Sequence, residues 1–210
     1  MDSEDCGMRL LLAVILIGWT APVAASPVVL VVGDSISAGH GVAREQAWVA
    51  HLRERLTQHD YPHRVVNASV SGDTTSGGLA RLPGALAEHD PAAVVIQLGG
   101  NDGLRGQPLE AMRGNLREMV ALARDHGARV LLLGIRIPPN YGPAYTQGFA
   151  RSFQEVADSR DVPLVPRLLG GVAERDDYMQ ADRIHPNAAG HRRIVDNVWP
   201  ELRELLGSAK

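Results

Sequence analysis

Four short segments of this 210-residue chain carry residue types that could perform acyl transfer. They are Gly33-Asp34-Ser35-Ile36, Ser71-Gly72-Asp73-Thr74, Gly100-Asn101-Asp102-Gly103 and Asp182-Arg183-Ile184-His185-Pro186. A serine hydroxyl is a weak nucleophile until an adjacent base takes its proton. Ser35 is the candidate nucleophile. His185 is the candidate base, taking that proton and later delivering it to the leaving group. Asp182, three residues earlier, can hold the imidazole N–H and set its tautomer. The oxyanion that forms needs several donors aimed at one point. The backbone N–H groups of Ser35 and Gly72 and the side-chain amide of Asn101 are the candidates. Glycine at 72 would let backbone approach substrate without a Cβ in the way.

Each segment has an ordinary reading when taken alone. Gly-Asp-Ser fits a strand-to-helix turn with a capping serine. Gly72-Asp73 and Asn101-Asp102-Gly103 fit turns. Asp182 to His185, followed by Pro186, fits the start of a helix. Of the other histidines, His51, His59, His89 and His126 fall in polar stretches and are expected to be solvated. His63 and His191 read as structural, and His40 sits close enough to Ser35 to touch a ligand. Chemistry is favoured by the order of the segments along the elements that carry them.

Those elements alternate. Val28–Val32 is a continuous β-branched run, the mark of a strand buried on both faces of a parallel sheet. Further strands are expected at 63–68, 93–98, 129–135 and 162–165, with Pro163 placing the last at an edge. Helical spacing of apolar residues covers 46–56, 75–88, 109–126, 145–160 and 187–206. Pro83 is expected to kink or break the second of these, and Gly127 to close the third. Alternating strands and helices predict an α/β fold, a three-layer α/β/α sandwich on a five-stranded, flavodoxin-like parallel sheet. In such sheets ligands bind beyond the carboxyl ends of the strands, which is where three of the four segments fall.

The N-terminus is of another kind. Arg9 precedes an apolar run from Leu10 to Gly18, and small residues lead to Ala25. This is the layout of a secretory signal cut after Ala25, and its core is well short of the roughly 20 residues a membrane span needs. Residues 1–25 are therefore expected to be a signal and 26–210 a single domain. Asp2, Glu4 and Asp5 are out of place in a signal, and Met8 would make a more conventional start, so residues 1–7 read as a mis-called or inert extension. Cutting at Ala25 removes three acids and one base, which changes the formal charge from −3 to −1. It also removes the sole cysteine, Cys6, which suits a periplasmic or extracellular compartment.

Composition excludes several classes. One cysteine cannot form an internal disulfide framework or a multi-cysteine zinc site. With 24 acids against 21 bases and 4% aromatics, the chain has neither the basic stripe nor the stacking surface of a nucleic-acid binder. No metal or organic cofactor is expected, and nothing demands more than a monomer acting on a small-molecule substrate.

Together the four segments resemble the signature of the SGNH, or GDSL-type, hydrolases. Ser35, Gly72, Asn101 and His185 match that family's four named residues, with Ile36 where Gly-Asp-Ser-Leu has leucine. The similarity is greatest to its periplasmic arylesterase, acyl-CoA thioesterase and lysophospholipase branch, through Gly39-His40-Gly41, the run 98–106 and Pro138-Pro139-Asn140-Tyr141-Gly142. The resemblance implies hydrolysis of carboxylic esters and thioesters, with the 139–143 segment near an acyl pocket. Asp34, Asp73, Asn140, Tyr141 and Pro186 are expected to contact substrate. Three other readings use the same residues: a carbohydrate O-deacetylase, a metal-dependent phosphoesterase built on Asp34, Asp73, Asp102 and His185, and a non-catalytic binding protein.

Overall fold

A computed structural model describes residues 26–209. The expected signal and Cys6 lie outside the described residues. Five strands form one parallel sheet in the order β2-β1-β3-β4-β5. They are β1 (Val28–Gly33), β2 (Arg64–Asn67), β3 (Ala93–Gln97), β4 (Arg129–Leu133) and β5 (Leu164–Val165). β1 and β3 are buried at every position, as their unbroken apolar runs require. Helices α2 (Trp48–Gln58) and α7 (Ala188–Leu206) pack together on one face. Helices α3 (Thr75–His89), α5 (Leu109–Asp125) and α6 (Pro143–Arg160) pack side by side on the other. Two short helices, α1 (Ser35–Ala38) and α4 (Gly100–Leu104), begin next to the ends of β1 and β3.

The helices bury the faces their spacing predicts. Trp48, Leu52 and Leu56 of α2 are buried, as are Met112, Leu116, Met119, Val120 and Ala123 of α5. Gly127, at φ +87°, turns the chain out of α5. β5 is at the sheet edge, and Pro163, just outside it, accepts a hydrogen bond from the Leu132 N–H.

Two expectations are corrected. Pro83 does not break α3, which continues from Thr75 to His89. Pro83 and Gly84 are exposed while Leu82 and Leu86 are buried, so the turn that lacks the proline N–H faces water, which can satisfy the freed carbonyl. His51 is not solvated. Its side chain is 13% exposed where α2 packs against α7, and it contacts Glu54 at 3.1 Å.

The order of the strands locates the site. The chain leaves β1 toward β2 on one side and returns to β3 on the other, so β1 and β3 flank the switch point where a crevice opens. Ser35 follows β1, and Asn101 follows β3.

Candidate active site

At the end of β1, Asp34 caps α1 by accepting the Ile36 N–H at 3.0 Å. This turn aims Ser35 across the sheet edge. Ser35 Oγ lies 2.9 Å from His185 Nε2, although the two residues are 150 positions apart. His185 Nδ1 lies 2.6 Å from Asp182 Oδ2. The turn that holds this pair is local: Asp182 Oδ1 accepts the backbone N–H groups of Ile184 and His185 at 2.9 and 3.0 Å. Burial alone would raise the Asp182 carboxyl, but hydrogen bonds from the His185 side chain and the two amides hold it at about 2. The structure thus brings Ser35, His185 and Asp182 into one hydrogen-bonded line.

The segment after β2 lies opposite. Gly72 has φ +80°, a backbone angle that favours glycine. A Cβ built on Gly72 meets nothing within 4 Å, so the requirement comes from the backbone angle rather than from a close approach. Asn101 Nδ2 donates to the Asp73 carbonyl at 2.9 Å, which ties the end of β3 to the Gly72 loop. The N–H groups of Ser35 and Gly72 have no acceptor among the described residues.

Ser35, His185 and Asn101 open onto a cavity of about 410 Å³, whose lining does not include Gly72 or Asp182. Its walls are mostly carbon: Leu104, Ile135, Ile137, Pro138, Pro139 and Leu169, with Met179 and Ile184 on the His185 side. Asp34, Ser35, Asn101 and His185 line its polar end. The other expected contacts are not on this wall. Asp73 forms an ion pair with Arg81 at 2.7 Å, and the Tyr141 hydroxyl donates to the Leu104 carbonyl at 2.8 Å. Asn140, next to Pro139 in the chain, is exposed, and Pro186 is buried; neither lines the cavity. Pro139 is the part of the 139–143 segment that reaches the wall.

The acids of the metal-site reading have separate partners. Asp102 is 1% exposed and accepts the N–H and hydroxyl of Thr75 at 2.9 and 2.6 Å. Asp73 faces Arg81, and Asp34 caps α1. Burial pushes the Asp34 carboxyl up to about 6, against the lowering effects of the Ile36 N–H, the Gln97 side chain and His185.

Several positioning residues escape a reading of the sequence. Arg81 Nη1 and Nη2 donate to the carbonyls of Ala68 and Gly33 while Nε holds Asp73, so one side chain links the ends of β1 and β2. Ser37 Oγ donates to Gln97 Oε1 at 2.6 Å and accepts from Trp48 Nε1 at 3.2 Å, fixing α1 to β3 and α2. Gln180 Nε2 donates to the His40 and Pro186 carbonyls, clasping the loop after α1 to the His185 loop. The His40 ring lies 4.5 Å from the His185 ring. Of these, His40 is placed near Ser35 by the sequence, and Gln97 leaves a signal as a polar residue ending a buried apolar strand.

A family model described as the GDSL-like lipase/acylhydrolase family matches residues 31–193. Esterase TesA of Pseudomonas aeruginosa is 55% identical over 183 residues, covering 87% of this chain and 91% of that protein. The thioesterase 1/protease 1/lysophospholipase L1 of Escherichia coli K12 is 39% identical over 183 residues, covering 87% and 86%. A crystal structure of TesA superposes with a TM-score of 0.83 at 54% identity, covering 85% of this chain and 99% of that one. The chain belongs to the GDSL-like lipase/acylhydrolase family.

Proposed function

We propose that this protein is a serine hydrolase of carboxylic esters and thioesters that works through an acyl-enzyme on Ser35. The observation that carries the reading is the line from Ser35 Oγ through His185 to Asp182 at 2.9 and 2.6 Å. Ser35 Oγ attacks the acyl carbonyl as its proton passes to His185 Nε2. The N–H groups of Ser35 and Gly72 and the Asn101 amide stabilise the oxyanion. His185 then protonates the departing alcohol or thiol. Water, deprotonated by the same imidazole, releases the acid and restores Ser35. The apolar wall of the cavity suits an acyl chain, and the esterase and thioesterase names of the relatives favour this reading over sugar deacetylation.

We further infer export: residues 1–25 act as a signal and leave a monomeric periplasmic or extracellular enzyme. N-terminal sequencing of the secreted form should begin at Ser26, and an intact Met1 would overturn the cut.

A fluorophosphonate probe should label the protein at Ser35 and spare Ser35→Ala. The unlabelled protein should hydrolyse p-nitrophenyl esters and acyl-CoA thioesters in the presence of a chelator, and labelling should abolish both activities. Labelling at another residue, or no turnover of either series, would overturn the assignment.

A further inference from the structure

The cavity at Ser35 does not end at Pro139. A second groove of about 480 Å³ shares the wall formed by Arg136, Ile137 and Pro139 and continues along α6 past Thr146, Gln147 and Arg151. Residues 146, 147 and 151 lie on neighbouring turns of one face of α6, and Arg136 follows β4 at the carboxyl edge of the sheet. Arg136 and Arg151 are both exposed. Neither has an acidic partner among the described residues, whereas Arg55, Arg113, Arg167 and Arg175 each pair with a carboxylate. No carboxylate lines the groove. At the rim of the first cavity stands a third cation, Arg183, whose side chain is 78% exposed and whose acidic neighbour Asp176 is 3.7 Å away. This positive edge is not a general bias, because the chain as a whole carries −3.

Two unpaired guanidiniums beside an apolar cavity suit one kind of ligand. The planar fork of arginine matches the oxygens of a phosphate and can bind them with two parallel hydrogen bonds. A cleft bordered by one sign of charge also draws an oppositely charged substrate, an effect that weakens with salt. We propose that Arg136 and Arg151 form a subsite for a phosphate group carried by the substrate away from the acyl bond that is cleaved. The inference rests on the ester and thioester reading above and narrows it to phosphate-bearing acyl compounds. That phosphate could belong to the thiol leaving group of a coenzyme A thioester or to the headgroup of a lysophospholipid.

Two substrate pairs with equal acyl chains test it. Decanoyl-CoA is compared with the neutral decanoyl thioester of N-acetylcysteamine. Decanoyl lysophosphatidylglycerol is compared with monodecanoylglycerol. In Arg151→Gln the kcat/KM ratio of the phosphate-bearing to the neutral member should fall about tenfold through KM, the loss of one charge-assisted contact. In the wild type the same ratio should fall as salt is raised. A fall in the thioester pair alone assigns the phosphate to coenzyme A, and a fall in the glycerol pair alone assigns it to the lysophospholipid headgroup. Either result supports the subsite, and unchanged ratios in both pairs overturn it. Calorimetric titration of Ser35→Ala with decanoyl-CoA, with and without Arg151→Gln, reads binding without turnover. Equal affinities there, together with an unchanged ratio in the glycerol pair, would count against the subsite, whereas a wild type that cleaved none of the four compounds would count against the ester reading.

Discussion

The two oxygens of Asp182 have separate partners around His185. Oδ2 faces the imidazole at 2.6 Å, and Oδ1 accepts the backbone N–H groups of Ile184 and His185. The carboxylate therefore orients the ring and also shapes the turn from which the ring projects. Arg183 within that turn has φ +57°, an angle that is costly for a residue with a side chain. The hydrogen bonds to Asp182 hold it there.

The division of labour ranks three substitutions. Ser35→Ala and His185→Ala should each lower kcat by about 10⁶-fold, because nucleophile and base act as one unit. Asp182→Asn keeps an acceptor for the turn but loses the charge that favours the working tautomer, so its loss should be smaller, about 10⁴-fold. Steady-state kinetics on a p-nitrophenyl ester checks the order. Equal losses for Asp182→Asn and His185→Ala would mean that the carboxylate does more than orient the ring.

Asn101→Ala should lower kcat by about 10²–10³-fold with little change in KM, the expected cost of one oxyanion donor. The same change frees the Asp73 carbonyl that Asn101 holds at 2.9 Å. Gly72→Ala tests the loop differently. Its Cβ has room, but φ +80° costs a residue with a side chain roughly 1–2 kcal/mol. Thermal unfolding should show a modest fall in Tm for Gly72→Ala beside a fall in kcat, as the 72 amide swings away.

His191 should make the fold sensitive to acid. It is fully buried in α7 and accepts the Trp48 N–H through Nδ1 at 3.2 Å. Burial lowers its pKa from 6.5 to about 4, with His51 and His185 adding smaller effects in the same direction. The unfolded chain takes up this proton first as pH falls, so stability is lost from about pH 6.5 down toward pH 4. His191→Gln keeps an acceptor and has no proton to gain. Its denaturant midpoint should change less than that of the wild type between pH 7 and pH 4.5, and parallel curves would rule out the assignment.

Asp34 should act in the opposite sense. Its buried carboxyl is raised from 3.8 to about 6, so the native state holds a proton that the unfolded chain releases. Its contribution to stability is full below about pH 3.8 and is lost as pH rises through about 6. Asp34→Asn keeps the cap to Ile36 without the titration. The variant should gain on the wild type as pH rises from 4 to 7.5, by up to about 3 kcal/mol.

Much of this was legible in the sequence because it is local. Five strands and their apolar helix faces follow from runs such as Val28–Val32 and the spacing of Met112, Leu116 and Met119. The four candidate segments are legible because each sits where a strand or turn ends. Pro83 was misread because its cost depends on whether the turn it disturbs faces water, and that is settled by packing across α3 and α5. The resemblance sets Asp73 and Tyr141 against substrate, whereas the fold adds partners that no local segment shows: Arg81 for one and the Leu104 carbonyl for the other. Distances across the fold, such as the 2.9 Å between residues 35 and 185, are written in no single segment.

Arg81 is the strongest case of a residue that only the fold reveals, and it supplies the last test. Its guanidinium reaches the Gly33 carbonyl beside Ser35, the Ala68 carbonyl after β2, and the Asp73 carboxylate next to Gly72. The nucleophile turn and the Gly72 loop are therefore set relative to each other by one planar group that does not line the cavity. Lysine keeps the charge but cannot span three acceptors in a plane. Arg81→Lys should therefore lower kcat by roughly tenfold or more, since small misplacements of reacting groups are costly, and should leave KM nearly unchanged. Fluorophosphonate labelling of Ser35 should slow in parallel, because it needs the same oxyanion geometry. A variant with lower Tm but wild-type kcat and labelling rate would show that Arg81 supports the fold without setting the site.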